Sequence, residues 1–152
     1  MHTTLLAIGK LRPSLRAACD DYLKRLRRYG PIGESELREA GRIGNPLLRR
    51  REETARLAAR VSSGDTLVVL DRMGSAWTSQ ELARRLQRWR QAARPVTLVI
   101  GGAVGLDPAS LPAGALHWSL GPLTLAHELA RVVVLEQWYR AWTILRGEPY
   151  HR

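Results

Sequence analysis

Cysteine is almost absent: Cys19 stands alone. A single thiol excludes an intrachain disulfide and leaves no cysteine cluster for zinc. The histidines His2, His117, His127 and His151 fall at no metal-ligand spacing, so no metal is expected. No apolar run reaches the roughly 18 residues of a membrane span. The longest, "VVVL", is bounded by Arg131 and Glu136. The apolar part of "MHTTLLAIGK" is short for a signal-peptide core, and no small-residue cleavage site follows. A cytoplasmic protein without a membrane partner is expected. Low-complexity tracts and solenoid-period repeats are missing too.

Several ligand motifs are also lacking. The segment after the first apolar run reads "GKLRPSL", with one glycine where a dinucleotide fingerprint needs three. There is no Walker A loop and no G-x-S-x-G nucleophile elbow.

What is present in excess is arginine. The formal net charge is +10, and Lys10 and Lys24 are the only lysines. A charge of this size is the footprint of a nucleic-acid binder, and guanidinium suits bidentate phosphate contacts. Arginine-rich codon usage would give the same composition. More than half of the basic residues precede residue 61, which places the expected footprint in the N-terminal half. Its candidates are Arg42 and the helix bases Arg25, Arg27 and Arg28.

The 152 residues suit one domain, since domains cluster at about 100–150 residues. Apolar runs at 3–8, 66–71, 96–102 and 115–120 read as strands without alternation, buried on both faces. Residues 34–40 read as a weak edge strand. Helical spacing runs over 14–29 with Ser14 as cap, from Pro46 to about Val61 with Asn45 as cap, and from Ser79 as cap to Ala93. A last helix covers "ELARVVVLEQWYRAWTIL". Strands alternating with helices predict an α/β domain with a mainly parallel sheet flanked by helices. Ligands then sit beyond the carboxyl ends of strands. Three loops lie there: after Asp71, at Gly101–Gly105, and at Leu120–Leu125.

"VIGGAVGLD" and "SLGPLTLAHEL" carry no Lys or Arg. Their glycines let backbone approach a ligand closely, although each alone also reads as a tight turn. An uncharged pocket beside a basic surface is the pattern of an enzyme that modifies nucleic acid. In the last helix Glu136 and Arg140 sit four apart and can pair, either as a plain surface ion pair or as part of an active site at a dimer interface. Apolar residues on several sides of that helix suit a partner subunit.

"LVIGGAVGL", "WSLGPLTLAHELARVVVLEQWYRAW" and the closing "RGEPYHR" together resemble the small 23S rRNA (pseudouridine-N3) methyltransferases of the SPOUT superfamily. The likeness runs from "LLAIGKL" to the end of the chain. It implies a single SPOUT domain over 1–152 with a deep trefoil knot near the C-terminus, about 96–145. It implies a homodimer using S-adenosylmethionine (SAM) to methylate N3 of a pseudouridine in a stem-loop of 23S rRNA, within the assembled 70S ribosome. It places the cofactor on Leu70, Gly101 and Gly102, and on Leu120, Gly121, Pro122, Leu123, Thr124 and Leu125. It places His151, Tyr150, Arg140 and Glu136 on the substrate side as catalytic candidates. Ala103 and Val104 depart from the family's Pro and acidic or polar residue after the double glycine. Ala126 departs from its Pro before His127. The competing reading is a non-enzymatic ribosome or rRNA binder with a vestigial SAM pocket.

Overall fold

The computed structural model describes residues 1–151, except the side chain of His151; Arg152 lies outside the described residues. Five strands, β1 (Thr3–Ile8), β2 (Ile32–Leu37), β3 (Thr66–Ala76), β4 (Val96–Ile100) and β5 (Leu116–Ser119), alternate with four helices. The helices are α1 (Pro13–Leu26), α2 (Pro46–Ala58), α3 (Ser79–Gln91) and α4 (His127–Arg146). Short 3-10 turns occupy Pro108–Ser110 and Pro149–His151. Every strand pair is parallel, in the order β2-β1-β4-β3-β5. The mainly parallel α/β sheet expected from unalternated apolar runs is therefore present.

The strand side chains point to two faces. Leu5, Ala7, Leu98 and Val68 pack under α1, α3 and α4, with Cys19, Leu23, Leu82, Leu86 and the fully buried Trp138. Leu6, Ile8, Val69 and Val99 pack on the other face with Leu57 of α2. Strand β2 is an edge and only half buried, as its weak apolar pattern predicts. It begins earlier than expected, at Ile32, because its register follows β1 from Thr3 opposite Ile32.

The caps correct two expectations. Ser14 lies inside α1, which starts at Pro13 after Arg12 without a side-chain cap; proline's fixed φ suits the first helical position. Thr78 caps α3 instead of Ser79, in a reciprocal capping box with Glu81. Asn45 caps α2 as expected, its side chain accepting from the Leu47 and Leu48 amides. At the far end of α4, Gly147 takes φ +68°. Its N–H and that of Glu148 bond the carbonyls of Ile144 and Thr143 at 3.1 and 2.9 Å. This Schellman-type stop turns the tail back onto α4.

Strand β3 runs five residues beyond the predicted Asp71 end, to Ala76, through a register break between Leu70 and Ser75. Bulges of this kind often sit beside sites, and this one projects Asp71 and Arg72 over the sheet's carboxyl edge.

Arg131 does not merely interrupt an apolar run. It is 1% exposed. Its Nη1 meets Glu34 at 3.1 Å and Glu36 at 2.8 Å, and its Nη2 donates to the Gly9 carbonyl at 2.9 Å. This cluster ties α4 to the ends of β1 and β2. No helix among the described residues is long and apolar enough to cross a membrane.

Candidate functional site

Parallel strands end together, so the loops after β3, β4 and β5 converge. They enclose a cavity of about 210 Å³, lined by Leu70, Gly101, Gly102, Leu120, Gly121, Leu123, Thr124 and Leu125. Of the residues named for the cofactor, Pro122 alone is not among the lining residues. Asp71, Ile100, Gly105, Leu106, Trp118, His127 and Ala130 also line it. Gly105 lies in one of the loops the strand-end rule marked and Asp71 borders another; Leu106 falls just past them, Ile100 and Trp118 lie in strands and His127 and Ala130 in α4, where lining depends on side-chain direction.

Both glycines of the pair are sterically required. A Cβ on Gly101 would come within 2.8 Å of Leu106 Cγ and 3.0 Å of the Gly105 backbone carbon. On Gly102 it would come within 2.8 Å of Ile8 Cγ2. The loop is folded back on itself, with the Gly105 N–H on the Gly102 carbonyl at 3.0 Å. The third loop is braced by the Ser119 hydroxyl, which accepts from the Gly121 N–H and donates to the Gly121 carbonyl. Arg72 reaches across the mouth to Thr124 Oγ1 at 3.2 Å, and Asp71 meets His117 Nδ1 at 2.8 Å. The walls are otherwise mainly apolar with main-chain polar groups, which suits a flat heterocycle. Ala126 is the residue before α4 and offers no side-chain cap, so the first-turn N–H groups of α4 have no capping side chain from it.

The other candidates form a second cluster. Glu136 Oε1 accepts from Arg140 Nε at 3.0 Å, Arg140 Nη2 at 2.7 Å and the Tyr150 hydroxyl at 3.1 Å. Glu136 Oε2 accepts from Gln137 at 2.6 Å. The Tyr22 hydroxyl lies 3.3 Å from that of Tyr150 and completes a chain of donors, Tyr22 to Tyr150 to Glu136. The Tyr150 ring stands edge-on to Tyr139 at 4.7 Å, with the Arg140 guanidinium 4.9 Å from its centroid. Burial, followed by the bond with Tyr22, pushes the Tyr150 phenol well above its ordinary value. The bond to Glu136 holds Arg140 firmly protonated. Tyr29 donates to Glu148 at 2.6 Å, which fixes the tail further. His151 belongs to the same short turn; its side chain is outside the described residues.

The two clusters do not meet within one chain. His127 and Ala130 line the cavity from the first turn of α4. Glu136 lies six residues beyond Ala130, about 9 Å along the axis at 1.5 Å per residue, and about 180° around the helix from His127. Among the described residues, no group of three or more His, Cys, Asp or Glu is placed to hold a metal ion.

Part of the expected basic surface is taken up in ion pairs. In the N-terminal half Arg16 is paired with Glu34 at 2.7 Å, Arg25 with Asp21 at 2.9 Å, Arg49 with Glu53 at 2.9 Å and Arg56 with Glu52 at 2.8 Å. Arg27, Arg28 and Arg42 remain exposed. On α3, Arg84 and Arg88 are exposed with no ion pair among the described residues. The one carboxylate of that helix, Glu81, is held in the capping box.

Comparison with known proteins gives the same direction. The family model described as Predicted SPOUT methyltransferase matches residues 1–151. A relative from Anaeromyxobacter sp. (strain Fw109-5), named Ribosomal RNA large subunit methyltransferase H, is 42% identical over 100% of both chains. A relative of the same name from Rubrobacter xylanophilus is 47% identical, covering 97% of this chain and 96% of its own. A solved methylase family protein from Neisseria gonorrhoeae shares the fold, with a TM-score of 0.50, 15% identity, and coverage of 90% of this chain and 81% of its own.

Proposed function

The chain belongs to the SPOUT methyltransferase family, and from that premise we propose that it methylates N3 of a pseudouridine in a stem-loop of 23S rRNA. The methyl donor is S-adenosylmethionine, the substrate is the assembled 70S ribosome in the cytoplasm, and the acting form is a homodimer. One observation carries the reading: three strand-end loops close into one mainly apolar cavity, with Asp71 and Arg72 at its mouth, behind a sterically required glycine pair. A knot over about 96–145, within a single domain spanning 1–152, accords with β5 lying outside β3 while α4 returns between α1 and α3.

The residues present fit the donor. The main chain at Gly101 and Gly102 and the loop Leu120–Leu125 would hold its adenosine, and Leu70 would pack against it. When bound, S-adenosylmethionine supplies an electrophilic methyl group on a sulfonium. The chain's own residues then align the uracil, exclude water and handle one proton.

N3 of pseudouridine is an imide nitrogen and must lose its proton. Glu136 already accepts four hydrogen bonds, and Tyr150 is held as a phenol. Neither is poised as a base. The role falls to His151, since imidazole is the side chain that ordinarily exchanges a proton near neutrality. Tyr150 stacks on the uracil ring, and Arg140 faces the developing imide anion. Glu136 anchors both.

A cavity of about 210 Å³ is smaller than the roughly 300–1,000 Å³ of sites that enclose a small molecule. Together with the separation along α4, this favours a site completed by the tail of a second copy. Mixed dimers test it. One subunit carries Gly101→Trp, the other Tyr150→Ala with His151→Ala. Each homodimer is expected to be inactive. The heterodimer keeps one intact cavity facing one intact tail and recovers about half of wild-type activity. No recovery would mean that cavity and tail act within one chain.

A further inference from the structure

Helix α2 lies alone on its sheet face, yet it does more than cover Leu6 and Val99. Residues 50, 53, 54 and 57 share one stripe of the helix. Leu57 is fully buried against the sheet. The other three reach the back of the glycine loop. Arg50 Nε donates to the Val104 carbonyl at 2.7 Å. Thr54 Oγ1 accepts from the Asp107 N–H at 2.9 Å while donating to the Arg50 carbonyl at 2.7 Å. Glu53 is wholly buried between them. Its Oε1 accepts from the Ala40 N–H at 2.8 Å and from Arg49 Nε at 2.9 Å. Its Oε2 is buried without a hydrogen-bond partner, 3.4 Å from the position a Cβ of Gly102 would occupy.

The loop is therefore held from behind at residues 104 and 107, and Glu53 packs behind Gly102 without bonding it. Its front, Gly101, Gly102, Gly105 and Leu106, lines the cavity. We infer that Arg50, Glu53 and Thr54 are positioning residues that set the conformation of the methyl-donor loop from the opposite face of the sheet. The inference rests on the reading of that cavity as the donor site. It also accounts for the departures at Ala103 and Val104. The bracket grips main-chain groups, the Val104 carbonyl and the Asp107 N–H, so it does not depend on which side chains stand at 103 and 104.

A helix packed only for stability would not need these bonds, since Leu57 already seats it. Thr54→Val keeps the volume, removes the acceptor and leaves a partly buried N–H unpaired. Arg50→Gln shortens the reach to Val104 from a less buried position. Both variants, wild type and the rescue Thr54→Ser are titrated with S-adenosylmethionine by calorimetry, and amide exchange is followed over 101–107 in the free dimer. We expect donor binding weakened about 10-fold or more in Thr54→Val and Arg50→Gln, faster exchange in the loop, and near wild-type values for Thr54→Ser. The KM for ribosomes should not change. Unchanged donor affinity together with unchanged loop exchange in both variants overturns the bracket. If wild type itself binds no S-adenosylmethionine, the donor-site reading fails, and loop exchange alone still decides whether α2 sets the loop.

Discussion

Arg131 offers the sharpest energetic test. Its side chain is 1% exposed, between Glu34 at 8% and Glu36 at 29%. Arg131→Met keeps much of the volume and removes the charge. Removing one partner of a buried ion pair costs about 3–5 kcal/mol, because the remaining charge is left uncompensated. Here two features reduce that figure. Glu34 retains Arg16, whose Nη1 and Nη2 donate to it at 2.8 and 2.7 Å, and Glu36 is partly solvated. Against this, the Gly9 carbonyl loses its donor. A cost of about 2–4 kcal/mol follows, or a melting temperature lowered by about 4–16 °C at 2–4 °C per kcal/mol for a chain of this size. Urea unfolding followed by circular dichroism reads it, with an unchanged m-value. The loss should persist in about 1 M salt, where the Debye length falls to about 3 Å and exposed pairs are screened. Arg56→Gln, which breaks the exposed pair with Glu52, should cost little. A change below about 1 kcal/mol for Arg131→Met, or a gain, would show that the buried cluster does not hold α4 to the sheet.

Two further outcomes are expected. Arg84→Gln with Arg88→Gln should weaken binding to ribosomes and reduce the magnitude of the log K against log salt slope by about 1.4–1.8, at 0.7–0.9 per phosphate contact, with donor affinity unchanged. Arg25→Gln, already paired with Asp21, should do less; the reverse order would return the footprint to α1. On acidification, Glu128 and Glu81 matter. The backbone bonds from Arg12 and Thr78 hold their carboxyls below the ordinary 4.5. Because the folded values are depressed, their stabilisation is full above pH 4.5 and fades as pH falls through the folded values. Equilibrium unfolding at pH 3–5 should show a shallower acid loss in Glu128→Gln than in wild type, and equal slopes would remove Glu128 from the acid response.

Local sequence carried much of this. Unalternated runs such as "VTLVI" gave buried parallel strands because burial on both faces leaves no polar positions. The strand-end rule then located the three loops that meet at the cavity. Other features needed tertiary structure. Arg131 reads as an interruption in "ELARVVVLEQ", and only the arrival of Glu34 and Glu36 from β2 makes it a buried tie. Arg50, Glu53 and Thr54 sit within "RRREET", which looks like a solvated charged face. Nothing local says that one side of it faces the glycine loop more than 45 residues away. Glu136 and Arg140 could be paired from spacing alone, but their distance from the cavity depends on which turn of α4 lines it, and that is the first, at His127 and Ala130. The caps shifted by one or two residues for a similar reason: Thr78 and Ser79 are both good caps, and Glu81 at the third position decides between them.

The most direct measurement is the position of the transferred methyl group. Unmethylated 70S ribosomes are incubated with the protein and isotopically labelled S-adenosylmethionine, and the rRNA is digested and mapped by mass spectrometry. The expected result is one labelled methyl group per ribosome, on N3 of a pseudouridine in a stem-loop of 23S rRNA, lost in Gly101→Trp. Label on 16S rRNA, on another atom of 23S rRNA, or on no RNA at all despite donor binding would contradict the proposed function.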